Sequence, residues 1–164
     1  MRCTEESGVI FQPEPKLGLE FFVDADFVGC WSQADADNPE NVMYHTGYII
    51  SYSVCPIGWC SKLQTYIFFS IVDAEYIALS QALRTVIPLM TTVEELSDIF
   101  PLDMNKPDYH CKVFEENQSC IAVTESSKFS PQKKHIFLKY HHFKYYIDPK
   151  QLRIIYTRFR RSAC

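Results

Sequence analysis

Apolar and polar positions begin to alternate at Leu19, and Leu19-Glu-Phe-Phe-Val-Asp-Ala-Asp-Phe27 predicts a central strand. The preceding residues, 1–18, contain Pro13, Pro15 and Gly18 with few apolar pairs, so they predict an extended leader feeding that strand. Ser32 to His45 is polar and proline-containing, which predicts an exposed loop. Gly47–Ser53 and Gly58–Thr65, separated by Cys55-Pro56, predict two antiparallel strands, and Tyr66–Ile71 continues the β-rich region.

At Asp73 the period changes. Ala74, Ile77, Ala78, Ala82, Val86, Met90, Val93 and Leu96 recur at three- and four-residue spacing, a helical stripe. Asp73 and Glu75 stand where negative charge favours a helix start, and Pro88 is expected to bend or break the helix. His110–Glu115 predicts a strand, Asn117–Ser126 a short helix, Ile136–Ile147 a third helix closed by Asp148-Pro149, and Gln151–Tyr156 a last strand. This order predicts an α/β architecture, a mixed sheet covered by helices. The expected organisation is a leader over 1–18, one domain over 19–157 and a basic tail over 158–164.

At 164 residues, 47% of them hydrophobic, the chain can bury one substantial core. It has no run of about 18 apolar residues, so no membrane helix is expected. Its first residues lack the apolar core of a secretory signal, which predicts an intracellular location, cytoplasm and nucleus not being distinguished, with the seven cysteines reduced. Cys55 and Cys60 are too far apart for a C-x-x-C pair and no second pair has zinc-ribbon spacing, so no structural zinc is expected.

The net charge of −4 conceals an asymmetry: residues 128–164 hold ten Lys and Arg against only Asp148. That basic segment is interleaved with Phe137, Tyr140, Phe143, Tyr145 and Tyr146 and suits a polyanion with stackable or sugar surfaces, although a solvated basic face would carry the same charges. Three acids fall at predicted element ends: Asp24, Glu75 and Glu116. Carboxylates brought together repel one another unless divalent cations neutralise them, and oxygen ligands suit Mg²⁺ or Mn²⁺. Two such ions about 3.5–4 Å apart can activate water and stabilise the leaving oxygen of a phosphodiester. Spacing alone equally fits a strand-edge charge and a helix N-terminal charge.

The same residues sit within a series of local motifs. Val23-Asp24-Ala-Asp-Phe-Val-Gly29 resembles the DADxxG opening of the ribonuclease H domain of Ty1/copia-type retrotransposon Pol polyproteins. Thr46-Gly-Tyr-Ile49 resembles its TGY strand, Trp59-Cys-Ser-Lys-Leu-Gln64 its W-x-S-K-x-Q segment, and Asp73-Ala-Glu-Tyr-Ile-Ala-Leu-Ser80 its EAEYxALS helix. Glu116-Asn-Gln-Ser119 resembles its D-N-Q-S turn, and Lys133-Lys-His-Ile136 with Lys139-Tyr-His-His-Phe143 its TKHI and RYHF region. Gly8-Val-Ile-Phe-Gln-Pro13 resembles the connection from the preceding polymerase.

This resemblance implies a ribonuclease H-like fold, with a mixed five-stranded sheet flanked by helices. It also implies an endonuclease that hydrolyses the RNA strand of RNA/DNA hybrids during reverse transcription by a two-metal mechanism. Asp24, Glu75 and Glu116 become the catalytic residues and ligands of Mg²⁺ or Mn²⁺. Asn117, Gln118, Lys133, Lys134, His135, Lys139 and His141 become the nucleic-acid contacts. Asp73 takes a capping or supporting role and Asp26 is not a ligand. The implied partners are the hybrid and a polymerase domain in the same polyprotein, with no membrane and no small-molecule cofactor.

Two departures bear on the metal site. Position 116 is Glu where the family has Asp, and the chain ends Tyr156-Thr-Arg-Phe-Arg-Arg-Ser-Ala-Cys164 without the family's A-D-I-x-T-K motif. In addition, Phe68-Phe-Ser-Ile-Val72 replaces a small, Ser/Thr-rich approach to the catalytic helix. The expectation is an impaired nuclease lacking its last carboxylate. The alternatives are a non-catalytic nucleic-acid-binding remnant and a domesticated interaction module.

Overall fold

The computed structural model describes residues 11–14, 17–27, 43–65, 70–100, 111–126, 142–147 and 151–158. Five strands form one sheet: β1 (Leu19–Phe27), β2 (Tyr44–Tyr52), β3 (Cys55–Leu63), β4 (Cys111–Glu115) and β5 (Leu152–Tyr156), in spatial order β3-β2-β1-β4-β5. The β1–β2 and β2–β3 pairings are antiparallel, whereas β1–β4 and β4–β5 are parallel. Among the described residues the helices are α1 (Ile71–Ile99), α2 (Gln118–Glu125) and the single turn α3 (Lys144–Ile147). This is the mixed, helix-flanked five-stranded architecture expected from the motifs.

β1 obeys strict alternation. Leu19, Phe21, Val23 and Ala25 are buried on the side facing α1, while Glu20, Phe22 and Asp24 are half-buried on the other side and Asp26 is exposed. On that outer side Phe22 stacks on Phe114 of β4, with ring centroids 4.7 Å apart. The inner side meets Tyr76, Leu79, Leu83 and Val86 of α1, and Phe143 completes this core with its ring 5.7 Å from that of Tyr76.

Several boundaries differ from the expected ones. β2 starts at Tyr44, inside the stretch read as loop, because Tyr44 and Thr46 point into the core. Cys55-Pro56 does not separate the strands but lies within β3, where Pro56 pairs with Ser51 across a bulge. Proline is tolerated there because β3 is an edge strand with one free ladder side. The reversal occurs at Ser53 and Val54, with φ of 50° and 71°. Two positive φ values suit a tight two-residue hairpin, a turn that usually signals itself through Asn or Gly. Three bonds brace it: Ser53 N–H donates to the Gly18 carbonyl, Ser53 Oγ donates to the Leu17 carbonyl, and Glu14 N–H donates to the Ser53 carbonyl.

α1 begins two residues before Asp73, so Ile71 is helical rather than β, and Glu75 lies in the second turn. Pro88 does not break the helix, which continues to Ile99. The buried stripe ends at Met90, and Leu96, expected in it, is 48% exposed. The segment 66–69, the first half of the expected third helix (136–141) and residues 32–42 of the expected loop lie outside the described residues, and in the second half of that helix only Lys144–Ile147 is helical. Among the described residues no helix is long and apolar enough to cross a membrane.

Candidate metal and nucleic-acid site

The carboxyl end of β1 meets α1 through a bond to Glu75, and β4 runs parallel beside β1. Crevices outside the carboxyl ends of parallel strands are the usual binding place in such sheets. Glu75, 4% exposed, accepts a hydrogen bond at Oε2 from the Ala25 N–H, 2.8 Å away. Its carboxyl is pushed up to about 9, by burial first, then by Glu115, Asp24 and Glu116, with the Ala25 bond opposing. Glu75 therefore lies within electrostatic reach of three other carboxylates.

Asp24 pairs in register with Gly47, so the residue directly opposite it on β2 carries no side chain. Asp24 lines a groove of about 440 Å³ together with Phe22, Ile49 and Trp59. These apolar residues form a cross-strand row, Phe22 opposite Ile49 and Ile49 opposite Trp59, and Trp59 is 78% exposed. Glu116 follows β4, half-buried.

Sequence reasoning passed over Glu115. It ends the inward series Cys111, Val113, Glu115 on β4 and is 0% exposed. Its Oε1 accepts the Asn117 N–H at 3.0 Å, and its buried Oε2 has no hydrogen-bond partner. Burial pushes this carboxyl up to about 7; the Asn117 bond lowers it, the charges of Asp24 and Glu116 raise it, and the Glu116 backbone N–H lowers it again. On Glu75, Glu115 acts more strongly than Asp24 or Glu116. The strand's period of two already pointed residue 115 inward, the signal that could have found it.

The resemblance named several further residues. Asn117 caps α2, its Oδ1 accepting the Cys120 N–H at 3.1 Å, and Gln118 is exposed. Asp73 lies in the first turn of α1, where a negative charge favours the helix dipole. Lys133, Lys134, His135, Lys139 and His141 lie outside the described residues. Two motif residues prove to be fasteners. Gln64 Nε2 donates to Thr46 Oγ1 at 3.0 Å and to the Ala74 carbonyl at 3.1 Å, and Thr46 Oγ1 donates to Gln81 Oε1 at 3.3 Å. These bonds tie β2 and the end of β3 to the first turns of α1, next to Glu75.

Among the described residues no three His, Cys, Asp or Glu side chains stand in positions that hold a metal ion as they are. The donor chemistry nonetheless fits a hard divalent cation. The acids are carboxylates that raise one another's proton affinity, and one buried oxygen lacks a partner.

No protein-family model matches the chain. It is 30% identical over 137 residues, 84% of its length, to the retrovirus-related Pol polyprotein from transposon TNT 1-94 of Nicotiana tabacum, and covers 9% of that protein. It is 22% identical over 154 residues to each of the corresponding polyproteins from transposons RE2 and RE1 of Arabidopsis thaliana, covering 94% of itself and 10% of each. The chain thus spans about a tenth of the length of these relatives. Among solved structures, LC11-RNase H1, isolated from compost by a metagenomic approach, aligns with a TM-score of 0.48 and 17% identity over 86% of this chain and 84% of that one. The N-terminal RNase H domain of Rv2228c from Mycobacterium tuberculosis aligns with a TM-score of 0.49 and 11% identity over 89% and 84%.

The strand order and the helices define an α/β domain with a mixed five-stranded sheet. By sequence the chain is a homologue of retrotransposon Pol polyproteins, in agreement with the Ty1/copia-type character of its motifs.

Proposed function

We propose that this domain hydrolyses the RNA strand of RNA/DNA hybrids with two divalent cations, Mg²⁺ or Mn²⁺, as a module of a copia-type Pol polyprotein. The observation that supports this reading most is the placement of Glu75, bonded to β1 and acted on by Asp24, Glu115 and Glu116 at the carboxyl ends of the parallel strands. On this reading Asp24, Glu75 and Glu116 hold the metal. Bound cations of this kind supply an activated water and charge stabilisation for the departing oxygen. The chain's own part is to hold the acids: the Ala25 N–H orients Glu75, and Gln64 fixes the first turns of α1 against β2. Glu116 carries one methylene more than the family's Asp, and a displacement of about 1 Å can cost around a hundredfold in rate. Slow turnover is the expected result. The basic segment, with Lys133, Lys134, Lys139, His135 and His141, would grip the phosphates, and Asn117 and Gln118 would lie beside the scissile strand.

The test is cleavage of an end-labelled hybrid in Mg²⁺ and in Mn²⁺, with Asp24→Asn as the control. Metal-dependent cleavage lost in Asp24→Asn supports the reading. A wild type that binds the hybrid yet leaves it intact in both metals, with Asp24→Asn binding equally well, favours a non-catalytic binding module instead.

A further inference from the structure

The edge strand β3 lacks both of the usual means of fixing a register. None of its nine residues is buried, so burial does not choose between pairings. Its turn does not choose either, because Ser53 and Val54 hold φ of 50° and 71° where Asn and Gly are the residues that favour such a turn. The pairing is also not a regular one. It passes from Ser51 opposite Pro56 to Ile50 opposite Gly58, which leaves Ile57 as an extra residue at a bulge.

The hairpin is instead held at two places by groups outside it. At the far end Gln64, 2% exposed, donates from Nε2 to Thr46 Oγ1 and to the Ala74 carbonyl, and its N–H donates to the Tyr44 carbonyl. At the turn Ser53 is 4% exposed; its N–H and hydroxyl donate to the Gly18 and Leu17 carbonyls, and its own carbonyl accepts from the Glu14 N–H. The Leu17 N–H in turn donates to the Glu14 carbonyl. With both ends fixed, the surplus residue has no place but the bulge. With the turn end free, the same residue can pass into the turn. Ser51 would then face Ile57, Tyr52 would face Pro56, and residues 53–55 would form a three-residue turn, the next most common kind. Pairing from Ile50 opposite Gly58 onward would stay as it is.

We propose that Glu14, Leu17 and Gly18 form a strap that selects the bulged register of the β2–β3 hairpin, and that its release sends the extra residue from the bulge into the turn. The strap thereby governs the surface of this edge. In the bulged form Ile57 is out of phase with Trp59. In the released form the two stand two positions apart on an unbroken strand, on the face where Trp59 meets Ile49. A bulge is one of the means by which an edge strand avoids pairing with another chain, so the strapped hairpin is a guarded edge and the released one is open and more apolar.

The experiment reads nuclear Overhauser contacts across the hairpin in the intact chain, for wild type and for Glu14→Pro combined with Ser53→Ala. The first replacement removes the N–H that reaches the Ser53 carbonyl, and the second removes the hydroxyl that reaches Leu17. Loss of two hydrogen bonds is expected to shift the ratio of the registers about tenfold or more toward the released one. It should appear as contacts of Ser51 with Ile57 beside those with Pro56, while the Ile49–Trp59 contacts persist. Should the double replacement fail to fold, Glu14→Pro alone is read in the same way. Ser53→Asn and Val54→Gly, added to Glu14→Pro, give the turn its own preference and should return Ser51 to Pro56. No Ser51–Ile57 contact after loss of the strap, or a released register that persists with those two turn replacements, overturns the proposal.

Discussion

The backbone N–H of Ala25 donates to Oε2 of Glu75 across 50 residues of sequence, at 2.8 Å. This bond holds a helix carboxylate against the central strand while burial and three other acids oppose its charge.

A pH dependence of stability follows. The Glu75 and Glu115 carboxyls stand at about 9 and about 7, above their ordinary 4.5, so both hold protons more tightly in the folded chain. Stability from such groups is complete below the unfolded value and is lost as pH rises through the folded values. Without divalent ions, the melting temperature is expected to fall from pH 5 to pH 9, and Glu75→Gln should flatten that slope. A metal-free melting temperature that stays level or rises in wild type contradicts the assignment.

Divalent ions should reverse the loss. At pH 8, Mg²⁺ or Mn²⁺ should raise the melting temperature of wild type, because ligands that bind only the folded state stabilise it, by about 2.7 kcal/mol at a hundred times the dissociation constant. Asp24→Asn should respond less. An equal shift in both proteins argues that Asp24 takes no part.

Hybrid binding should be strongly salt-dependent. Each phosphate neutralised by Lys133, Lys134 or Lys139 should contribute about 0.9 or less to the logarithmic salt slope, so replacing these lysines should flatten it by that amount apiece. If the triple replacement leaves the slope as it was, those lysines form a solvated face.

Gln64→Ala removes the side-chain donor to Thr46 and to the Ala74 carbonyl. Leaving buried partners unsatisfied costs about 1–3 kcal/mol, measurable by urea unfolding. Cleavage should fall in addition, since the first turns of α1 carry Glu75. A variant with unaltered stability would show that the two bonds contribute nothing.

Val54→Gly should stabilise the domain. Val54 has φ of 71° and is 50% exposed, so a β-branched residue occupies left-handed backbone without burying much of its side chain. Relieving that conformation is worth about 1 kcal/mol, less the extra chain entropy of glycine, for an expected net gain of about 0.5 kcal/mol. A lower urea midpoint in Val54→Gly contradicts this.

What could be read from the sequence divides along physical lines. β1, α1 and α2 were legible because alternation and the helical stripe are set by burial, and Phe21, Val23, Ala74, Ile77 and Val86 are buried where their spacing put them. The β2–β3 turn was not legible, because Ser53 and Val54 lack the usual turn chemistry and are held by tertiary bonds to Glu14, Leu17 and Gly18. Pro88 marked a break that the packed helix overrides. At the site, Asp24, Glu75 and Glu116 were named by motif. Glu115 was missed because motif matching weighs residue identity, whereas its place depends on which side of β4 it faces.

The bracing of the β2–β3 turn has a mechanical side. Residues before β1 enter the sheet through bonds from Glu14, Leu17 and Gly18 to Ser53, beside the register pair Leu19 and Tyr52. Asp24 and the other acids lie toward the opposite ends of β1 and β4. Tension applied through residues 11–14 therefore reaches the sheet where β1 begins and β2 ends, and is shared between two strands before it approaches the carboxylates. Residues 14, 17 and 18 are thus clamped to the hairpin, and a load passing through them would strain the hairpin before it moved an acid.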